Sequence, residues 1–194
     1  EGFDARWVGH PAVDWVPGRM EPRPLRFGLM PGSRPQELKA MAGIFAETAR
    51  CIRKSCPGAS FVMPLPAHAS PPPLPPFVEP SSEGIHAVRD AQAVLTKSGT
   101  VTLELALMGV PMVVAHRLHP LTHAIARRRI NAIPFIALPN ILSGRNAVPE
   151  YRQDLDPEIL CQALLSAGKT DTDLSAAGSG GAVENAVEAM LSSG

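Results

Sequence analysis

The chain has 194 residues, and its 18 lysines and arginines balance its 18 aspartates and glutamates. This length suits one domain with a sizeable core or two very small ones, and the balanced charge argues against a dedicated nucleic-acid-binding protein, which is normally strongly basic. The 3 cysteines are too few for a disulfide scaffold and fit a reducing compartment, and no apolar run approaches the roughly 20 residues of a membrane-spanning helix.

Strand-like and helix-like segments alternate along the chain, which is the pattern of an α/β layered domain. The sequence begins at Glu1 with neither a Met nor a signal peptide, so we expect a fragment or a processed chain. In chain order, hydrophobic spacing and the positions of Pro and Gly predict a strand at 26–30, a helix at 36–55, strands at 60–65, 84–88 and 93–96, a helix at 100–108, a strand at 112–116, a basic helix at 121–130, a strand at 135–138, and helices at 157–167 and 182–191.

Two stretches interrupt this alternation. Residues 67–80 contain six prolines, which remove backbone donors and exclude a regular helix. We expect a surface crossover loop there, in preference to a polyproline motif that binds a partner. Residues 175–181 are all Ser, Gly or Ala, so they predict a flexible linker that lets the last helix swing or pack elsewhere.

The first candidate site is the turn formed by Pro31, Gly32, Ser33 and Arg34, which follows a predicted strand and precedes a helix. Such a turn exposes backbone N–H groups at a helix N-terminus, where an anion is favoured. The guanidinium of Arg34 adds a fork of donors that suits phosphate. The alternative is a tight turn with a solvated arginine.

The second candidate site has the same layout and more polar groups. Ser98, Gly99 and Thr100 follow a predicted strand, and Thr102 and Glu104 lie in the first turn of the next helix. Gly99 allows close approach of the backbone to a ligand, and Glu104 is placed to accept two ribose hydroxyls. This predicts a nucleotide-diphosphate site without the Lys-Ser/Thr metal arrangement of a P-loop. The alternative, which does not exclude it, is a helix capping box.

The third candidate is a polar loop that contains Asn140, Arg145 and Gln153. Loops that follow strands are where α/β sheets bind ligands, but Asn and Gly also simply form turns.

Three histidines and a group of arginines are the remaining candidates. His116, His119 and His123 suggest a metal, but zinc requires a fuller ligand set with firmer spacing, so we predict no metal site. A basic cluster of Arg117, Arg127, Arg128 and Arg129 is either a surface for anionic headgroups or a solvated helix face. Cys51 and Cys56 fit core packing better than redox chemistry.

Several ordered motifs resemble lipid-A-disaccharide synthase. They lie at residues 8–11, 31–34, 98–107, 109–117, 120–122, 125–128, 138–142, 144–145 and 148–150. The resemblance implies the C-terminal, UDP-binding half of a metal-independent, inverting glycosyltransferase that needs no cofactor. The fold that it implies is a Rossmann-like parallel sheet flanked by helices, as in the C-terminal domain of a GT-B enzyme. The substrates that it implies are UDP-2,3-diacylglucosamine and 2,3-diacylglucosamine 1-phosphate, with UDP as leaving group. The acidic residue proposed as base in the family belongs to the N-terminal half, which has no counterpart here.

The resemblance also assigns expected roles to the candidate residues. Arg34 stabilises the leaving diphosphate, Glu104 holds the ribose, and the other UDP contacts are Gly32, Ser33, Ser98, Gly99, Thr100, Thr102, Asn140, Arg145 and Gln153. It implies a nucleotide-sugar-binding domain at residues 1–174, followed by the linker and C-terminal helix at 175–194, through which a homodimer is possible. It further implies a cytoplasmic protein peripheral on the inner membrane, with Arg117 and Arg127–Arg129 contacting membrane or acceptor.

The chain departs from the family at a few positions. Lys97 stands where many relatives carry a small residue, and it either contacts phosphate or caps the strand edge. Asn146 stands where an acid is common, and Tyr151 and Arg152 replace an apolar pair. The competing hypotheses are another two-domain glycosyltransferase or a UDP-sugar epimerase, and a non-catalytic nucleotide-binding or interaction module whose last helix docks on a partner. A dinucleotide-binding domain is disfavoured because no GxGxxG follows the first strand.

Overall fold

The structure is a computed structural model that describes residues 8–67, 69, 71–117, 134–168, 174, 177, 178 and 180–191. Its strands are β1 (Arg26–Met30), β2 (Ser60–Pro64), β3 (Val78–Ser81), β4 (Ala93–Lys97), β5 (Met112–His116) and β6 (Glu150–Arg152). Its α-helices are α1 (Ala12–Trp15), α2 (Pro35–Ser55), α3 (Val101–Leu107), α4 (Leu138–Ser143), α5 (Pro157–Leu165) and α6 (Ala182–Leu191), and a 3-10 helix spans Gly84–Val88.

The strands form one parallel sheet in the order β3-β2-β1-β4-β5-β6. β1 lies in the middle, with Phe27 opposite Phe61 on β2, and Leu29 opposite Leu95 on β4. From β1 the chain first builds outward through β2 and β3, and then returns to β1's other side for β4, β5 and β6. This is the doubly wound order of a Rossmann-like sheet, so the predicted fold class is confirmed.

Most of the described core lies in two layers, one on each face of the sheet, and a smaller third cluster contains Ala12, Leu103 and Ala177. Phe27 and Leu29 of β1 pack with α2 and α5 on one face, while Val94 and Val114 pack with α3 and the 3-10 helix on the other. Strands that are buried on both faces show continuous apolar runs rather than alternation. This explains why β1, β2, β4 and β5 were predictable from the sequence.

Two predicted strands are wrong. Residues 84–88 form the 3-10 helix, which begins at Gly84 with a positive φ of 56° and packs Ala87 and Val88 into the core. Residues 135–138 do not form a strand either. The backbone amide groups of Ile136 and Ala137 are bonded to the Glu150 carboxylate, and α4 begins at Leu138 with a proline in its first turn.

The remaining predicted elements within the described residues are confirmed to within a few residues at their ends. Among the described residues of the 67–80 stretch there is no helix, and its end forms the edge strand β3. The helix predicted at 121–130 lies outside the described residues, as do Arg127, Arg128 and Arg129.

The last helix is tied to the start of the chain. The carboxylate of Asp14 accepts hydrogen bonds from the backbone N–H groups of Gly181, at 2.6 Å, and Ala182, at 3.0 Å. The side-chain amide of Asn185 donates to the carbonyl of Val8 at 3.2 Å. The N-terminus of α6 is therefore capped by a side chain about 167 residues away in sequence.

Candidate functional site

The two predicted phosphate-binding turns lie at the same edge of the sheet. The Gly32–Arg34 turn follows β1, and the Ser98–Thr100 turn follows β4. Because β1 and β4 are adjacent and parallel, their carboxyl ends meet. They meet at the point where the strand order reverses, which is where open α/β sheets bind ligands.

A cavity of about 690 Å³ opens between these two turns. Six of the predicted ligand contacts line it, namely Gly32, Ser33, Arg34, Ser98, Gly99 and Thr100. Its other walls come from the end of β2 and the start of the 3-10 helix. The two turns therefore share one cavity, while the ligand that they hold stays a prediction.

The first turn depends on Gly32, whose φ is +121°. A Cβ at this position would lie 2.5 Å from Oε2 of Glu37 and 2.7 Å from its Cβ. The Arg34 side chain is 83% exposed, so its guanidinium is accessible at the mouth of the cavity. The turn thus combines a close backbone approach with an exposed, strongly donating cation.

Glu37 and Lys97 link the two turns, and neither was among the predicted site residues. Oε2 of Glu37 accepts hydrogen bonds from the backbone amides of Ser33, at 3.1 Å, and Arg34, at 3.3 Å. Its Oε1 lies 3.3 Å from Nζ of Lys97, and that ammonium donates to the carbonyl of Ser98, also at 3.3 Å. Glu37 is the third residue of α2, where an acid bonded to the preceding turn is a sequence signal for helix starts.

The charge state of Glu37 follows from these contacts. Burial acts to raise the pKa of its carboxyl. The hydrogen bonds from the Arg34 and Ser33 amides and the charge of Lys97 outweigh that effect and hold the pKa below its ordinary value. Glu37 is therefore an anion at neutral pH and a fixed part of the cavity wall.

Hydrogen bonds of the Thr102 hydroxyl fix the second turn. Its side chain is buried, and its Oγ1 donates to the carbonyl of Gly99 at 2.7 Å and accepts from the amide of Leu138 at 3.2 Å. Thr100 is the N-cap residue of α3, but its side chain makes no capping hydrogen bond in the described structure. The capping box proposed as the alternative is therefore not formed, and the exposed Thr100 hydroxyl faces solvent.

Glu104 lies one turn into α3 and does not line the cavity. Burial raises the pKa of its carboxyl, and the nearby charge of His10 partly opposes the shift. Within the described residues, no hydrogen-bond donor to this carboxylate is recorded. His10 is fixed in turn, because its Nδ1 accepts from the amide of Ala12 at 3.1 Å and its own amide donates to the carbonyl of Ala177 at 2.8 Å. A desolvated carboxylate with free acceptors is suited to accepting hydroxyl donors.

Asn140 is completely buried in α4, and its hydrogen bonds are made to the protein. Its amide donates to the carbonyl of Val148 at 2.8 Å and to Glu150 at 2.7 Å, and its Oδ1 accepts from the amide of Val148 at 2.8 Å. Because the strand predicted at 135–138 is absent, Asn140 stands within a helix rather than in a loop after a strand.

Arg145 and Gln153 lie in two different loops, the first before β6 and the second after it. Arg145 is exposed in the turn that follows Gly144, a residue with a φ of 64° that ends α4. Gln153 lies just after β6 with a φ of 65°, and its backbone N–H donates to the carbonyl of His116 at 2.8 Å. Gln153 thus lies in the loop between β6 and the helix that begins at Pro157, as predicted. Neither side chain is among the described residues that line the cavity.

Of the histidine and cysteine candidates, the structure describes His116, Cys51 and Cys56. His116 ends β5, while His119 and His123 lie outside the described residues. In the described part of the chain, no group of three or more His, Cys, Asp or Glu residues is placed to hold a metal ion. Cys51 and Cys56 are half-buried free thiols packed against the core, and burial beside Cys51 raises the pKa of Cys161 to about 12.

The predicted membrane contact is described only at one residue. Arg117 is exposed, and its Nε donates to the carbonyl of Gln153 at 3.4 Å. Among the helices that the structure describes, none combines the length and the apolar character required to cross a bilayer.

The chain matches the family model described as lipid-A-disaccharide synthetase over residues 1–173. It is 37% identical to the lipid-A-disaccharide synthase of Neisseria meningitidis serogroup A, over 84% of this chain and 48% of that protein. The lipid-A-disaccharide synthases of Pseudomonas syringae pv. syringae and Paraburkholderia phymatum are 37% and 34% identical, over 85% and 89% of this chain and 48% and 49% of their own lengths. The chain thus spans about half the length of the curated relatives it matches. Among solved structures, the glycosyltransferase SnogD from Streptomyces nogalater matches with a TM-score of 0.40 and 22% identity, over 79% of this chain and 37% of that one.

Proposed function

The chain belongs to the lipid-A-disaccharide synthetase family, and on this premise we propose that it is the UDP-binding half of a lipid A glycosyltransferase. In the proposed reaction, UDP-2,3-diacylglucosamine is joined to 2,3-diacylglucosamine 1-phosphate and UDP is released. The observation that carries this proposal is the cavity at the switch point of the sheet, which is lined by both predicted phosphate-binding turns.

Stabilisation of the leaving group is the task that this half performs. An inverting transfer is a single in-line displacement, in which negative charge develops on the departing diphosphate. Arg34 is placed for this role, because its exposed guanidinium stands at the mouth of the cavity and suits phosphate geometry. The remaining diphosphate contacts come from the two turns, through Gly32, Ser33, Ser98, Gly99 and Thr100.

The nucleoside is held by groups farther along the edge. Glu104 accepts the ribose hydroxyls, because its carboxylate has no recorded protein donor in the described structure. Thr102 positions the second turn. Arg145 and Gln153 contact the uridine side, and Asn140 orders the segment from which Arg145 projects.

Calorimetric titration of the 194-residue chain with UDP tests the proposal. We expect saturable heat with a dissociation constant below about 1 mM. Replacing Arg34 with Ala removes charge-assisted hydrogen bonds and should weaken binding about tenfold or more. Arg50→Ala is the matched control, since Arg50 is an exposed arginine of α2, the helix that follows Arg34, and its described ion pair is a local one with Glu47.

The proposal fails if millimolar UDP gives no heat with the unaltered chain. We expect no sugar transfer by this chain alone, because the base is proposed to lie in the other half of the enzyme. Turnover without an added partner would contradict that part of the proposal.

Attachment to the cytoplasmic face of the inner membrane is a further part of the proposal. It is supported by the exposed Arg117 and by the neighbouring arginines 127–129 in the sequence, since each cation near an anionic surface contributes about 1 kcal/mol. Reversing the charge of Arg127–Arg129 should abolish sedimentation with anionic vesicles. Equal reversal at the exposed Lys39, Arg50 and Lys54 should preserve it, and equal loss in both variants would contradict a specific contact.

We also propose that α6 contributes to a homodimer. Val187 on this helix is 50% exposed, which leaves an apolar side chain accessible. Size-exclusion chromatography should show a dimer for the unaltered chain and a monomer for Val187→Glu. A monomer in both cases would contradict the proposal.

A further inference from the structure

We propose that Lys97 is a diphosphate-binding residue that supplies a second cation beside Arg34. The inference rests on the function proposed above and adds a residue to the same site.

The first argument is the position of the ammonium group. Lys97 ends β4, lines the cavity between the two turns, and has a side chain only 17% exposed. Its Nζ lies 3.3 Å from Oε1 of Glu37 and 3.3 Å from the carbonyl oxygen of Ser98. An ammonium has three donors, and these contacts occupy two of them. In the described structure the third has no recorded protein acceptor, so it is available to a phosphate oxygen.

The second argument is the charge of the cavity wall. The ionisable residues that line the cavity are Arg34, Lys97 and Glu37, which gives two cations against one anion. His116 lies nearby, but burial and the charge of Lys97 lower the pKa of its imidazole, so it is neutral at pH 7. The wall therefore carries one surplus positive charge, which an anionic ligand would neutralise.

The third argument concerns the alternative, in which Lys97 only caps the strand edge. The Glu37 carboxylate already accepts hydrogen bonds from the backbone N–H groups of Ser33 and Arg34 and lies 3.7 Å from the Arg34 guanidinium. One carboxylate shared among these donors compensates a half-buried ammonium poorly. A phosphate oxygen would complete the coordination of Lys97 without breaking its contact with Glu37.

Titration of Lys97→Met with UDP, UMP and uridine tests the inference. The change removes the charge and keeps the apolar stem. We expect UDP to bind about tenfold more weakly, consistent with loss of one hydrogen bond to a charged group. The loss should be smaller for UMP and absent for uridine. Lys54→Met is the matched control, because it removes an exposed lysine from the far end of α2 and should leave all three affinities unchanged.

The possible outcomes distinguish a failure of this inference from a failure of the proposed function on which it rests. If the unaltered chain does not bind UDP, the proposed function fails. If the unaltered chain binds UDP and Lys97→Met binds it within twofold, the inference fails and the function stands. Equal weakening of UDP and uridine would show a structural role and would also overturn the inference. If Lys97→Met does not fold, Lys97→Arg tests the inference instead, because it keeps the positive charge and should keep the affinity for UDP within about threefold. Increased salt should weaken UDP binding by this variant and leave its uridine binding unchanged.

Discussion

Glu104 and Asn140 are both polar residues next to the proposed site, but their surroundings give them opposite roles. Asn140 has no exposed surface and exchanges hydrogen bonds with both backbone groups of Val148. Glu104 is partly buried, and no protein donor to its carboxylate is recorded in the described structure. A satisfied buried amide stabilises the fold, whereas an unsatisfied carboxylate destabilises it and is better explained by a ligand.

Replacing Asn140 with Ala should therefore reduce stability. The change leaves the buried amide of Val148 without a partner and removes a donor from Glu150. We expect the free energy of unfolding to fall by about 2 kcal/mol, measured by urea denaturation. Asn146→Ala is the control, because Asn146 is exposed and its contact with Asn140 is long, at 3.3 Å. Equal losses in the two variants would contradict this assignment.

Replacing Glu104 with Gln should have the opposite effect on stability and a cost in binding. Because burial raises the pKa of Glu104 in the folded state, its ionisation disfavours folding, so its contribution is favourable at low pH and is lost as pH rises through the raised pKa. The Gln variant should therefore gain stability relative to the parent between about pH 4 and pH 7, as measured by urea denaturation at both pH values.

The Glu104→Gln variant should also bind UDP about tenfold more weakly, because a neutral amide replaces the charged carboxylate that accepts the ribose hydroxyls. A stability difference that does not change with pH would contradict the burial argument. Unchanged affinity for UDP would contradict the ribose role.

Six of the residues that line the cavity could be predicted, because glycines, hydroxyls and an arginine at strand ends have a direct chemical interpretation. Glu37 was not predicted as a site residue, and for Lys97 a phosphate contact was only one of two alternatives. Lys97 is a single charge at a strand end, and Glu37 has the spacing of an ordinary helix cap. Only the adjacency of β1 and β4 brings these two side chains within 3.3 Å of each other.

At the scale of elements, the central strand β1 tolerates no added volume on one face. A Cβ at Gly28 would lie 2.6 Å from Cγ1 of Val88 and 2.9 Å from Cγ2 of Val94. We expect Gly28→Ala to destabilise the protein by about 1–3 kcal/mol, because both neighbours belong to packed elements. Gly43→Ala is the matched control, since a Cβ there meets nothing within 4 Å on the surface of α2 and should stabilise by about 0.5–1 kcal/mol. Urea midpoints that shift in the same direction would contradict this packing argument.

The two strands missed from the sequence are ones that packing defines only weakly. β3 and β6 are the two edges of the sheet, and each pairs on one side only. β3 contains Pro80, which an edge strand tolerates because one side needs no N–H donor. All three residues of β6 are partly exposed, so it has no apolar run to detect.

At the scale of the whole molecule, the strand order was the feature on which the site depended. Alternating strands and helices predicted a parallel sheet, but only the family resemblance, now confirmed over residues 1–173, implied which strands are neighbours. Had β1 and β4 been separated, the two turns would not share a cavity. Their adjacency arises because successive strands are added first on one side of β1 and then on its other side, which is a property of the connections rather than of any local segment.

The two ends of the chain are coupled through Asp14, and this coupling bears on Glu104. Asp14 caps α6, and the same N-terminal segment carries His10, which lies near Glu104. Asp14→Ala should destabilise α6 by about 1 kcal/mol and make residues 182–191 faster in hydrogen exchange. Glu21→Ala, a change at an exposed acid of the same segment, should leave that exchange unaltered. If α6 remains equally protected in Asp14→Ala, the cap does not hold the helix, and the N-terminal segment must be fixed beside Glu104 by its other contacts.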